Sequence, residues 1–144
     1  MIFGSNPSFS AINYIIESLN KKENGDYLAQ EVLTGATFYN GVNDFNNLRQ
    51  EYRSVIEFGA LPASGTKQVA HGIDVTGTFV WTEIRAIGTN PSDFTGIPIP
   101  YASASSVADN LEIYVDGTYV FIITGGTDYS AYTKTNVIVQ YLKD

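Results

Sequence analysis

Cysteine is absent from this chain of 144 residues, which excludes disulfides and thiolate metal sites and leaves the redox compartment unreadable. Basic residues are scarce: eight Lys and Arg stand against fifteen Asp and Glu, for a net charge of -7. Affinity for a phosphate backbone comes mainly from clustered Lys and Arg. The only adjacent basic pair is Lys21-Lys22, so no nucleic-acid partner is expected. Long apolar runs are missing too. No stretch approaches the roughly 20 apolar residues of a membrane helix, and the opening M-I-F-G-S-N-P-S has no basic region followed by an apolar one, so neither membrane insertion nor export by its own signal is expected. Asn6 and Asn90 are each followed by Pro and then Ser, which blocks N-glycosylation at both.

What is present is apolar and neutral polar. Hydrophobic residues make 44% of the chain and charged ones 16%, a balance that suits one folded core and leaves much neutral surface, as in proteins that assemble. Ile12, Ile15, Ile16 and Leu19 fall at i, i+3, i+4 and i+7, which predicts a short amphipathic helix over residues 10–19, capped by Ser10. Its apolar stripe is a candidate N-terminal docking face. In residues 26–52, Leu28, Val32 and Leu33 suggest a helical turn. Phe45, Leu48 and Tyr52 suggest another short helix begun by Asn43 or Asp44, while Gly35 and Asn40-Gly41 interrupt.

From Arg53 the apolar period changes to two, and nearly all the prolines lie beyond this point. Strands are expected at 53–58, 67–71, 78–87, 97–101, 111–115, 118–124 and 136–142. The expected fold is therefore all-β, a small β-sandwich or jelly-roll-like domain over 53–144. A short, partly helical segment over 1–52 is expected to precede it as an anchoring or oligomerisation segment.

Asp116-Gly117 has the composition of a two-residue type I′ hairpin turn, which would set Val115 opposite Thr118. Leu111, Ile113, Val115, Thr118, Val120 and Ile122 then share the core face, and Glu112, Tyr114, Tyr119 and Phe121 the other. That mixed aromatic and charged face suits a subunit contact. The strand at 78–87 is ambiguous: Val80, Ile84 and Ala86 lie on one side and Phe79, Trp81, Glu83 and Arg85 on the other, and either could look inward.

No catalytic chemistry is legible. His71 is the only histidine, and although Asp74 and many serines are near in sequence, no G-x-S-x-G elbow is present. His71 reads as a structural residue at a strand end. Asp109, Glu112 and Asp116 cluster in sequence but read as strand and turn residues. Asp26, Asp44 and Asp93 sit beside turn residues, where Asp caps N–H groups. With no H-x-x-x-H and no calcium loop, no metal or cofactor is expected, and Gly125-Gly126-Thr127 lacks the lysine of a phosphate loop. Ten tyrosines are the remaining candidates, because Tyr joins contact area to a polar handle. Tyr129 and Tyr132 lie in an expected loop and are candidates for receptor recognition or subunit contact.

The run Arg53, Val55, Gly59, Leu61, Pro62, Gly65, Lys67, Val69, His71, Gly72 and Ile73, then I-P-I-P-Y at 97–101 and a closing Tyr141-x-Lys143, resembles a β-domain of bacteriophage virion appendages such as head-fibre and tail-fibre proteins. The resemblance covers roughly residues 53 to 143. It implies a non-enzymatic structural module, commonly a homotrimer, carried on the virion assembled in the host cytoplasm. Its N-terminal part would join it to capsid or tail proteins. With no collagen-like repeat and no long heptad run, a compact head fibre, decoration protein or tail appendage is the closer expectation. The alternative is an adhesin that binds a host surface glycan or protein through its aromatic loops.

Overall fold

The run Asn136 to Leu142 is wholly apolar on one side of its alternation (Val137, Val139, Tyr141) and carries Ile138 and Leu142 on the other, the pattern of a strand with apolar cover on both faces over part of its length. In the computed structural model, which describes residues 25–39 and 48–143, this run belongs to the central strand of the larger sheet. Among these residues eight strands form two antiparallel sheets. They are β1 (Val32–Tyr39), β2 (Leu48–Glu57), β3 (Thr66–Ala70), β4 (Val80–Asn90), β5 (Thr95–Ile99), β6 (Leu111–Val115), β7 (Tyr119–Thr124) and β8 (Lys134–Leu142). A single 3-10 turn, Val107–Asp109, precedes β6.

Sheet A has the order β1-β2-β8-β4-β5 and sheet B the order β3-β7-β6. The chain therefore changes sheet between β2 and β3, β3 and β4, β5 and β6, and β7 and β8. A single bridge, Tyr101 to Leu111, joins the two sheets at one corner. Val137, Val139 and Tyr141 of β8 face sheet B and are wholly buried with Val120 and Ile122 of β7. Ile56, Phe58, Leu61, Ile97, Ile99, Leu111 and Tyr129 complete the core. Each such aliphatic side chain contributes roughly 1.5 to 3 kcal/mol on burial.

The all-β expectation holds, and all seven expected strands are present with ends moved by a few residues. The helical reading of residues 26–52 is corrected. Val32, Leu33, Leu48 and Tyr52 lie in strands, β1 and β2, and Leu28 lies outside regular structure. Gly35, read as an interruption, adopts φ 90 inside β1, where the pairing with β2 shifts between Leu33 and Thr37. It is a bulge, and only glycine takes that backbone without strain. The expected division at 52/53 falls within β2. Ile12, Ile15, Ile16 and Leu19, together with Asn43, Asp44 and Phe45, lie outside the described residues.

A second bulge resolves the ambiguous strand. Trp81 pairs with Tyr141, but Glu83, two residues on, pairs with the adjacent Gln140. Thr82 is the extra residue, and it reverses the alternation. Phe79 and Trp81 pack inward before it, and Ile84 and Ala86 after it. Phe79, Trp81 and Tyr141 meet with ring centroids 4.6 to 5.7 Å apart.

The bulge also aims Thr82 at a buried carboxylate on the outer side of sheet A. Glu51 accepts hydrogen bonds from Thr82 Oγ1 (2.6 Å), Thr34 Oγ1 (2.8 Å) and Gln140 Nε2 (3.1 Å). One side chain thus ties β1, β2, β4 and β8 together. Beside it Arg53, fully buried, donates to the Asp26 carbonyl at 2.7 Å and lies 3.9 Å from the Tyr27 ring centre.

The closing Tyr141-x-Lys143 converges on another carboxylate, Glu31. The Tyr141 hydroxyl donates to it at 2.6 Å and Lys143 Nζ lies 2.7 Å away. Burial, followed by the Glu31 bond, pushes the Tyr141 hydroxyl above the ordinary phenol range. Removing the Glu51 carboxylate strands three polar partners in a buried setting, so Glu51→Ala is expected to lower unfolding free energy by ~3 kcal/mol. Urea denaturation measures this, and a loss well under 1 kcal/mol would contradict the role.

Candidate functional site

The face of sheet B turned away from the core is aromatic. Leu111, Ile113 and Val115 of β6 pair with Thr124, Ile122 and Val120 of β7 and look inward, so Glu112 and Tyr114, with Tyr119, Phe121 and Ile123, look outward. Tyr114 and Phe121 are opposite one another and stacked, 4.6 Å between centroids with planes 11° apart. Tyr119 meets Phe121 edge-on at 6.0 Å. On the other side of β7, Gln68 of β3 is opposite Phe121. A row Gln68, Phe121, Tyr114 therefore crosses all three strands, with Tyr114 43% exposed. Polar chemistry frames it through Glu112 and Gln68.

The expected faces hold for the strand residues, but Thr118, expected on the core face, is exposed in the turn, and the expected turn is not formed. Val115 pairs with Val120 instead of Thr118, and Gly117 keeps φ outside the left-handed region that a type I′ turn requires. The link is Gly117-Thr118, closed by Asp116 N–H to the Tyr119 carbonyl at 3.0 Å. The Asp116 carboxylate accepts from the N–H groups of Thr118 (2.8 Å) and Tyr119 (2.7 Å). This side-chain bonding supplies what a left-handed glycine would have supplied. A register shift of two residues leaves every side chain on its own face.

His71 belongs to the same corner. Its Nδ1 accepts the Ile73 N–H at 3.0 Å, which puts the proton of the neutral ring on Nε2, and Nε2 donates to the Asp116 carbonyl at 2.9 Å. The ring meets Trp81 edge-on at 5.4 Å. Both nitrogens are engaged in holding the end of β3 to the β6–β7 turn.

Of the other candidates, Tyr129 is corrected. It is buried in the core, and its hydroxyl donates to the Asp109 carbonyl, so it has no face to offer a receptor. Burial, with Asp109 next, raises its hydroxyl above the phenol range. Tyr132 is half-buried, packs on the core and lies 5.7 Å from Tyr129. The loop is held down because Leu61 and Tyr129 exchange backbone bonds with Tyr132 and Pro62. It also crosses the 3-10 turn, where a Cβ on Gly125 would come within 2.3 Å of the Val107 carbonyl oxygen.

Two features escaped the sequence. A cleft of about 460 Å3 opens beside the aromatic face, lined among others by Pro100, Tyr101, Val107, Asn110, Glu112 and Ile123. Glu112 and Ile123 belong to both cleft and face. Phe94, at the β4–β5 turn, is 83% exposed with φ 62, a conformation bulky residues rarely take. Among the described residues no group of three His, Cys, Asp or Glu side chains is placed to hold a metal ion. No described helix is long and apolar enough to cross a membrane.

The N–H groups of Tyr119 and Thr118 hold the Asp116 carboxyl below its ordinary range, and turn bonds do the same for Asp93 and Asp128. A depressed native value gives stability that is present above the unfolded value of about 3.9 and lost as pH falls through the native one. Asp116→Asn keeps the accepting oxygen without the titration. Its melting temperature is expected to fall less steeply than that of wild type below that pH, and parallel pH profiles would contradict the assignment.

No protein-family model matches the chain, and no curated protein or solved structure matches it significantly.

Proposed function

We propose that this protein is a non-enzymatic, self-associating β-module of a bacteriophage virion appendage, a head fibre, decoration protein or tail appendage, attached to capsid or tail proteins. The observation that carries the reading is the outward face of sheet B, where Tyr114, Tyr119 and Phe121 are held in mutual contact on the solvent side of a sheet whose inner side already packs the core. Aromatic residues pre-organised on rigid strands bind at low entropic cost and are the usual anchors of protein interfaces. The resemblance of residues 53–143 to phage appendage domains supplies the setting.

A second reading, an adhesin for a host surface glycan or protein, is favoured by the cleft. Its apolar walls, with Tyr101, Asn110 and Glu112 among the lining residues, offer a ring to stack on and polar groups to orient a hydroxylated ligand. A glycan array separates the two, since only the adhesin reading expects a hit that Glu112→Ala removes.

The assembly reading is tested with particles of the phage that encodes the chain. Wild-type protein is expected to co-purify with them. Tyr114→Ser combined with Phe121→Ser is expected to reduce incorporation by roughly 30-fold, as for loss of an interface anchor, while circular dichroism stays unchanged. Absence of wild-type protein from particles, or equal incorporation of the folded double variant, would overturn it.

A further inference from the structure

Among the described residues, the outward backbone groups of β3 form an open edge. Thr124 N–H donates to the Gly65 carbonyl at 3.0 Å and His71 N–H to the Thr118 carbonyl at 3.1 Å, so the odd-numbered residues of this stretch bond inward to β7. By the alternation of an antiparallel pair, the N–H and C=O of Thr66, Gln68 and Ala70 then point away from the sheet. All three residues are exposed.

Two of the other described edges are blunted. On β5, Pro98 removes a donor. On β6, Tyr101 occupies one end through two bonds to Leu111 at 2.9 and 3.0 Å, and Glu112 and Asp116 flank the remainder. If two β6 strands met about a two-fold centred on Tyr114, Glu112 of one would face Asp116 of the other, a like-charge pairing that disfavours contact. β1, the remaining edge, is followed in sequence by residues outside the described set.

β3 carries no such penalty. The chain has fifteen acidic residues, yet none lies between Phe58 and Ile73. For two copies that each carry -7, a pairing through this stretch sets none of its own side chains carboxylate against carboxylate. Lys67 points away from the edge, its Nζ donating to the carbonyls of Phe58 (3.0 Å) and Ala60 (2.6 Å).

We propose that β3 pairs antiparallel with β3 of a second copy about a two-fold axis at Gln68. Gln68 would face its own counterpart, and Thr66 would face Ala70, in about six backbone hydrogen bonds. Two sheets B become one continuous sheet, and the row Tyr114, Phe121, Gln68 runs on into Gln68, Phe121 and Tyr114 of the second copy. The two aromatic faces become one surface of twice the area, with the symmetry of an isologous dimer. This rests on the self-association proposed above, names the contact that produces it, and sets an even number of copies in place of the homotrimer that the resemblance implies.

The test is the mass of the full chain in solution, by sedimentation equilibrium over a wide concentration range. Wild type is expected as a monomer–dimer equilibrium or a dimer-based assembly. Gln68→Pro removes an N–H that points away from β7, so the fold is retained while the dimer dissociation constant rises roughly 100-fold, as for losing both central hydrogen bonds. Gln68→Lys and Gln68→Glu should each weaken self-pairing, and mixing the two should restore a mixed dimer, which a merely misfolded variant could not do. A strictly monomeric wild type would overturn both this pairing and the self-association reading. An oligomer unchanged by Gln68→Pro, no recovery on mixing, or an odd number of copies would overturn the β3 pairing alone.

Discussion

The architecture depends on β8 being central, buried along its whole inward face and, at Gln140 and Leu142, on its outward face as well. It pairs with β2 on one side and β4 on the other over most of its length, and its Val137, Val139 and Tyr141 supply the floor on which sheet B rests. The last strand in sequence is therefore the middle of the larger sheet, and neither β2 nor β4 has its full set of partners until the C-terminal residues arrive. Glu51 and Glu31 reinforce that dependence. The first collects Gln140 of β8 with groups from β1 and β4, and the second collects Tyr141 and Lys143.

Sequence patterns disclosed most of this where alternation was simple. β6 and β7 have clean alternation, so the faces of Tyr114, Tyr119 and Phe121 were legible even though the turn was misassigned, because a two-residue slip preserves parity. Bulges defeated the same reasoning elsewhere. Gly35 looked like a helix breaker because a lone glycine does not announce whether it ends an element or bends one. Thr82 split one strand into two phases, so Phe79 and Trp81 on one nominal side and Ile84 and Ala86 on the other are all inward. Tyr129 was misread because a loop rich in small polar residues looks exposed. Its burial comes from backbone bonds to Pro62 and from the 3-10 turn, which are tertiary facts.

The surface follows from the same constraints. Sheet B has three strands, one apolar face spent on the core, and an outer face that places its large rings together in place of the charges typical of a solvated sheet. His71 and Asp116 stiffen one end of that platform by bonding to backbone groups. Such rigidity suits recognition, since little conformational freedom is lost when a partner arrives. The edge beside it is short, neutral and outward-facing, and open edges persist only when blunted, covered or paired. Aromatic face and open edge together make sheet B the surface on which the proposed association rests.

Hydrogen–deuterium exchange of the amides of β3 at low and high protein concentration tests that claim most directly. The amides of Thr66, Gln68 and Ala70, which point away from β7, are predicted to exchange rapidly in dilute solution and to become protected as concentration rises. Those of Lys67 and Val69, bonded to β7, should be protected throughout. Rapid exchange at Gln68 at every concentration, in a chain that nonetheless self-associates, would contradict the account.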